Sequence, residues 1–560
     1  MFRQVSPKGI AMVVAVVAIA GTHSIRAAGN AGSLQGVVKN SSGAPVSGAF
    51  VKVINAERRL TFMAVSQAQG RYTLSNLPPG QYTVQGIGNG LQSEPSAPAD
   101  VADGRAAAVD VSLTAPQAMM KPKGKSPEMS SEETGGAPPP PLPEGAGKSI
   151  VETRCVSCHN AQRTAGQHFN RERWQATIES MRVYLRGTTD SPDLTDPEAQ
   201  VLLDYVAKNF APVDGGDSGS RRVRPPADPN LHLPRIPLQG AAAKYIVVEY
   251  ELENRNARPH DITADSKGIA WIGEGNHGYI GRFDPSTFTY TRIPVPPAQY
   301  KDFRLNAIQI APQDQIWVVD GGPNRRWIQF DTKTREFNVF EAPKPKMGIP
   351  SGNTFRVLPD GSVWLSANTT NQILRLDPAT KKYTAYDVPA GVKAGVSARP
   401  YGMAVSGDGK LWFAENMFDI VGRLDPATGK IDEFPVPAKD SSPRRMGTDA
   451  QGNVWLGLYG ANKLVKIDYR TTKMFPYTLP TENSGPYSVS VDLKHNLVWV
   501  SEQWSDKLAR FDPKTETFVE FPLPRPDSDV RRIEVDQSNP NRVWWSGSGS
   551  DRLGYVEVIN

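Results

Sequence analysis

From about residue 245 to residue 560 the apolar positions fall in short alternating runs, broken by Gly, Pro and Asp turns, and the runs repeat. Tryptophan marks the repeat at 271, 317, 364, 412, 455, 499 and 544. A second marker follows at Asp284, Asp331, Asp377, Asp425, Asp468 and Asp512, often within Phe/Leu-Asp-Pro. Each unit reads as a strand, an Asp-Gly-type turn, the Trp strand, a third strand ending at the Asp, and a fourth such as Glu433-Phe434-Pro435-Val436-Pro437. Four strands in 43 to 48 residues is the pattern of a propeller blade, so the seven units predict a seven-bladed β-propeller. The last unit, ending at residues 553–558, has no room for a fourth strand. Ile246-Val247-Val248-Glu249-Tyr250, ahead of the first unit, is placed to supply it and to close the ring.

Upstream the pattern changes twice. Residues 33–115 alternate strictly and are cut by Gly/Pro turns, as in Leu34-Gln35-Gly36-Val37-Val38, Val51-Lys52-Val53-Ile54 and Tyr82-Thr83-Val84. This predicts a small β-sandwich. Residues 147–212 take a helical period instead, with Trp174, Ile178, Met181 and Leu185 on one stripe. Thr195-Asp196-Pro197-Glu198 then reads as a capping box opening a helix that aligns Val201, Leu202, Tyr205, Val206 and Phe210. So short an all-α unit is a marginal core by itself, and a prosthetic group would add apolar bulk. Pro-rich residues 116–146 and residues 213–244 read as linkers.

Composition adds address and exclusions. Gly (49) and Pro (48) are abundant, consistent with many short loops. With 63 basic against 58 acidic residues the net charge is +5, and no basic block points to nucleic acid. Arg3 and Lys8 precede an apolar stretch of residues 10–20 and a small-residue end at Ala27-Ala28. Residues 1–28 therefore read as a secretory signal, and the mature chain is expected to be periplasmic or otherwise exported, without a transmembrane segment.

The two cysteines stand in Cys155-Val156-Ser157-Cys158-His159. C-x-x-C-H places two thiols for thioether links to a haem and an imidazole on its iron. The expectation is a covalent haem c held by Cys155 and Cys158, with His159 as proximal ligand and Met181 as distal ligand, His168 being the rival. The segment looks like a small c-type cytochrome domain, which implies electron transfer with a redox partner protein.

In a propeller, equivalent positions of the inner strands form a ring at one mouth. Eleven residues before the blade Trp stand His260, Asn306, Asn353, Tyr401 and Arg444, with Tyr487 and Arg532 one residue earlier in the last two units. Three residues after the Trp stand Glu274, Asp320, Glu415 and Glu502. Such a ring suits a polar small-molecule or peptide ligand, or a hard cation.

Two resemblances follow from these residues. The strand series of residues 33–115 resembles the carboxypeptidase regulatory-like family. Ala257-Arg258-Pro259-His260-Asp261-Ile262, Trp271-Ile272-Gly273-Glu274 and Ala398-Arg399-Pro400-Tyr401-Gly402 with Trp412-Phe413-Ala414-Glu415 resemble the streptogramin lyase (virginiamycin B lyase) propeller family. That resemblance implies opening of a cyclic depsipeptide by elimination, with Mg2+ at the propeller and His260 and Glu274 as catalytic residues. The family pattern has a second His where this chain has Asn306, and a Glu where it has Asp320; Asn cannot act as a base. The chain is thus expected to be multidomain and mainly β: a small β-sandwich, a small all-α cytochrome c domain and a seven-bladed β-propeller. Its expected role is that of an exported haem protein whose propeller binds a substrate or partner. A magnesium-dependent lyase-like enzyme and a non-catalytic binding protein are the alternatives.

Overall fold

The computed structural model describes residues 31–117, 142–154, 170–188, 194–211, 230, 232–255, 257–296, 303–321, 324–342, 352–395 and 397–559. Six four-stranded antiparallel sheets, from Pro259–Ala264 through Thr517–Pro522, form blades 1 to 6. Blade 7 takes Val530–Val535, Arg542–Gly547 and Arg552–Val558 from one end of the propeller and Tyr245–Glu251 from the other. Tyr245–Glu251 runs antiparallel to Arg552–Val558, with Val247 opposite Val556, and closes the ring.

Each blade is built around its tryptophan. Trp364, Trp412 and Trp499 lie opposite Arg375, Arg423 and Arg510 of the third strand. Those guanidiniums sit 5.5–5.7 Å from the indole centroids. An aromatic of the fourth strand covers two further indoles, as Phe340 does Trp317 at 5.4 Å and Tyr477 does Trp455 at 6.0 Å. The aspartates that follow accept from backbone N–H groups two residues on, at 2.8–3.1 Å from Asp284 to Asp512. These Asx turns are why Asp recurs there.

The sandwich consists of one sheet around Gly32–Asn40 and a second containing Phe50–Asn55, Leu60–Val65 and Gly80–Gly88. Leu60–Val65 also pairs antiparallel with Tyr245–Glu251, Met63 opposite Val247, so the second sheet runs unbroken into blade 7. The two bodies share one apolar cluster, in which Phe62 of the sandwich meets Phe288 of blade 1 at 5.4 Å. Residues 230–244 add a strap: Lys52 Nζ donates to Asn230 at 2.5 Å, and His232 Nε2 lies 2.8 Å from Leu523 O in blade 6.

The expected all-α cytochrome c domain is not found. The described residues are mainly β, and residues 142–211 contribute Lys148–Thr153, Arg171–Thr188 and Asp196–Asn209. With Leu142, Leu194 and Phe210 these helices form an apolar cluster in which Trp174, Ile178, Leu202 and Tyr205 are buried and Trp174 Nε1 donates to Phe210 O at 3.1 Å. Thr195 and Glu198 form the capping box, whereas Val201, placed on the apolar stripe from sequence, is exposed. No helix among the described residues is long and apolar enough to cross a membrane.

Candidate functional site

The inner strands begin at Pro259, Leu305, Gly352, Pro400, Pro443, Pro486 and Val530, each opposite the residue three after the blade Trp. The next residue of each strand forms the rim: His260, Asn306, Asn353, Tyr401, Arg444, Tyr487 and Arg531. Arg532, assigned to the rim from sequence, lies one tier deeper. Only one residue separates Val530 from Arg532 across the bulge, and Arg532 pairs with Ser546. In five blades the residue before the strand has a left-handed backbone: φ is 53° at Arg258, 51° at Arg399, 43° at Ser442, 67° at Gly485 and 50° at Asp529. Four of these are not glycine, so the backbone is strained at the entry to the rim.

The rim is asymmetric. Blades 4 to 7 present Tyr401, Arg444, Tyr487 and Arg531. The Arg444 guanidinium lies 5.2, 4.6 and 5.2 Å from the ring centroids of Tyr401, Tyr459 and Tyr487, and the Tyr401 and Tyr487 hydroxyls are hydrogen-bonded. Arg531 donates through Nε to Asp529 at 3.0 and 3.2 Å. Blades 1 and 2 present the imidazole of His260 and the amide of Asn306.

His260 is buried, with Nδ1 2.8 Å from Asp261 Oδ1. Asp261 in turn accepts from Arg445 of blade 5, at 2.6 Å to Oδ1 and 3.1 Å to Oδ2. Burial lowers the His260 pKa, against the pull of Asp261 in the other direction. Burial raises that of Asp261, but Arg445 and His260 outweigh it and hold the carboxyl below the usual carboxylate value. The result is a neutral imidazole beside an ionised carboxylate, which fixes Nδ1 as the donor and leaves Nε2 with its lone pair. Asp261 and Arg445 went unnoticed in the sequence, although each directly follows a rim residue.

The four carboxylates behind the rim do not form a cation site. Glu274 accepts from Arg292 at 2.8 and 3.0 Å, from Tyr290 at 2.9 Å and from Asn254 at 3.3 Å. Asp320 accepts from Arg326 at 2.5 and 3.2 Å, Asn324 at 2.9 Å and the Arg304 N–H at 2.9 Å. Their lone pairs are occupied. Glu415 and Glu502 are fully buried. Burial, together with Glu433 beside Glu415 and Glu520 beside Glu502, pushes their pKa values up to about 9 and about 8.

The expected cofactors are therefore corrected. Among the described residues no group of three or more His, Cys, Asp and Glu side chains is placed to hold a metal. Mg2+ does not fit the mouth, because Glu274 and Asp320 are spent on arginines. For haem c, Cys155, Cys158, His159 and His168 lie outside the described residues. Met181, expected on the iron, is half-buried and takes no part in the apolar cluster of the helices. An all-α haem domain is not seen among the described residues, and the redox partner implied by haem is not supported.

Comparison with known proteins agrees with this picture. The virginiamycin B lyase family model matches residues 289–560, leaving His260 and Glu274 outside the match. The carboxypeptidase regulatory-like domain model matches residues 33–114. No curated protein matches the chain. Among solved structures, virginiamycin B lyase from Staphylococcus aureus is 20% identical with a TM-score of 0.50, covering 56% of this chain and all (100%) of that one. A streptogramin B lyase is 21% identical with a TM-score of 0.51, covering 57% and 100%. A catalytically inactive variant of the S. aureus enzyme with Quinupristin gives 20%, 0.50, 56% and 100%. At that identity the likeness establishes the fold. Residues 289–560 are thus part of a virginiamycin B lyase-like propeller, and residues 33–114 are a carboxypeptidase regulatory-like domain.

Proposed function

We propose that the propeller mouth is a lyase-like site in which neutral His260 withdraws a proton from a ligand seated against the Arg444 and Arg531 side of the rim. The observation that carries this reading is the His260–Asp261–Arg445 chain. It fixes the tautomer and keeps a base with an available nitrogen at a buried position. On a cyclic ester peptide of the kind implied by the resemblance, His260 Nε2 takes the proton from the carbon next to the ester-bearing carbon. The C–H electron pair forms the new C=C bond, the C–O bond breaks, and the leaving carboxylate faces the guanidiniums. No metal enters this scheme.

The test is turnover of a streptogramin B by the full chain, followed by mass spectrometry. Elimination opens the ring with no change in mass, whereas hydrolysis adds one water. His260→Ala is expected to lower kcat by about 10²- to 10⁴-fold. Wild-type turnover by that variant, or a hydrated product, would refute the reading. Asn306 in the place of the second His favours binding without turnover as the second reading. Calorimetry showing saturable binding of an unchanged ligand would select it.

A further inference from the structure

Trp504, at the propeller mouth, is an aromatic residue that no blade requires. It stands five residues after the blade tryptophan Trp499, where five other blades carry Asn276, Thr369, Met417, Gly460 and Gly549. Trp455 and Trp499 are fully buried, whereas Trp504 is half-buried and its indole N–H has no acceptor among the described residues. Its place is nevertheless fixed. Trp504 N donates to Ser484 O at 2.9 Å and Gln503 N to Gly485 O at 3.1 Å, just ahead of the rim residue Tyr487. A Cβ added at Gly485 would meet the Trp504 indole at 2.8 Å and the Tyr459 ring at 3.0 Å, so glycine there lets both rings lie against the backbone. Trp504 lies 4.5 Å from Tyr459, which lies 5.5 Å from Tyr487. Both tyrosines are buried, which makes the indole the exposed end of this aromatic row.

A guanidinium adjoins the row. Gln503 Nε2 and Arg531 Nε both donate to the Asp529 carboxylate, which ties the neighbour of Trp504 to Arg531. The Arg531 guanidinium also lies 5.9 Å from the Tyr487 ring centroid. Asp529 engages Nε alone, and the two Nη groups of half-buried Arg531 donate to nothing among the described residues. A guanidinium anchored in this way offers two parallel donors, which match the two oxygens of a carboxylate. We infer that this side of the mouth recognises an aromatic carboxylate, its ring stacked on Trp504 and its carboxylate taken by the Nη groups of Arg531. The inference rests on the mouth being the ligand site proposed above, and it names the class of ligand. An indole face favours a planar ring over a saturated one, and the guanidinium favours an acid over its amide.

The full chain is titrated with benzoate, benzamide and cyclohexanecarboxylate, and binding is followed by saturation-transfer NMR. Benzoate is expected to bind saturably, about 10-fold more tightly than benzamide and about 5-fold more tightly than cyclohexanecarboxylate. Trp504→Leu is expected to remove the second preference and Arg531→Gln the first. No saturable benzoate binding, equal binding of the three probes, or preferences that survive both substitutions would overturn the inference. Should Arg531→Gln fail to fold, the wild-type comparison of acid with amide decides for the carboxylate, and Trp504→Leu decides for the ring. Benzoate binding without turnover of a streptogramin B would remove the lyase reading alone. Turnover without benzoate binding would remove the present inference alone.

Discussion

Arg445 of blade 5 spans the channel to Asp261 of blade 1, with Nη2 2.6 Å from Oδ1. Two residues 184 apart in sequence thereby set the tautomer of a third, His260, whose neutral form burial favours. Removing the guanidinium would leave Asp261 charged and buried. Arg445→Met is expected to cost about 3–5 kcal/mol in urea unfolding. It is also expected to shift the imidazole titration of His260 in NMR. An unchanged His260 titration in a folded Arg445→Met protein would separate the two residues.

Glu274 is assigned a structural role. Its bidentate pair with Arg292 predicts that Glu274→Ala and Arg292→Ala each lower stability by about 3–5 kcal/mol. The double variant should lose clearly less than the sum. A metal-ligand role would instead make Glu274→Ala lose activity with stability intact, and a double-mutant cycle with thermal unfolding distinguishes the outcomes.

Glu415 and Glu502 predict a pH dependence. Their folded pKa values, about 9 and about 8, lie above the ordinary 4.5. The native state thus binds protons that the unfolded chain has released. The stability these carboxyls contribute is fully present below about pH 4.5 and falls as pH rises toward 8 to 9, by up to about 1.4 kcal/mol per pH unit for each group. Glu415→Gln cannot ionise and is expected to flatten the decline between pH 5 and 9, as read by denaturant midpoints across that range (about five pH values suffice).

Phe62 tests the joint between sandwich and propeller. It is buried between Tyr82 at 6.3 Å and Phe288 at 5.4 Å. Phe62→Ala is expected to cost about 3–5 kcal/mol. It should also split a shared calorimetric transition into separate sandwich and propeller transitions. A single transition merely lowered in temperature would show that the joint does not depend on this ring.

The propeller was legible because Trp and the Asx-forming Asp repeat with local spacing, each fixed by contacts inside one blade. The pairing of Tyr245–Glu251 with the end of the array was legible for a related reason: the last unit lacked a strand. What escaped were relationships between strands, within a blade as well as across the channel. Counting from the Trp put Arg532 on the rim because a bulge between Val530 and Arg532 changes the register without changing the alternation. Glu274 and Asp320 looked like a ligand ring because their arginine partners lie on other strands of the same blade. The expectation of an all-α cytochrome c domain rested on a five-residue motif, whereas the described helices are three elements around Trp174, Tyr205 and Phe210 in a chain that is mainly β.

The ten-stranded sheet that joins sandwich to blade 7 imposes an order of assembly. Tyr245–Glu251 has one edge for Leu60–Val65 and the other for Arg552–Val558, and Arg552 clasps Glu251 across 301 residues. During synthesis the outer edge of that strand can be sheltered early by the sandwich, while the inner edge waits for the distant segment. A chain halted before blade 7 would therefore display a half-open ribbon, inviting pairing with a neighbouring molecule.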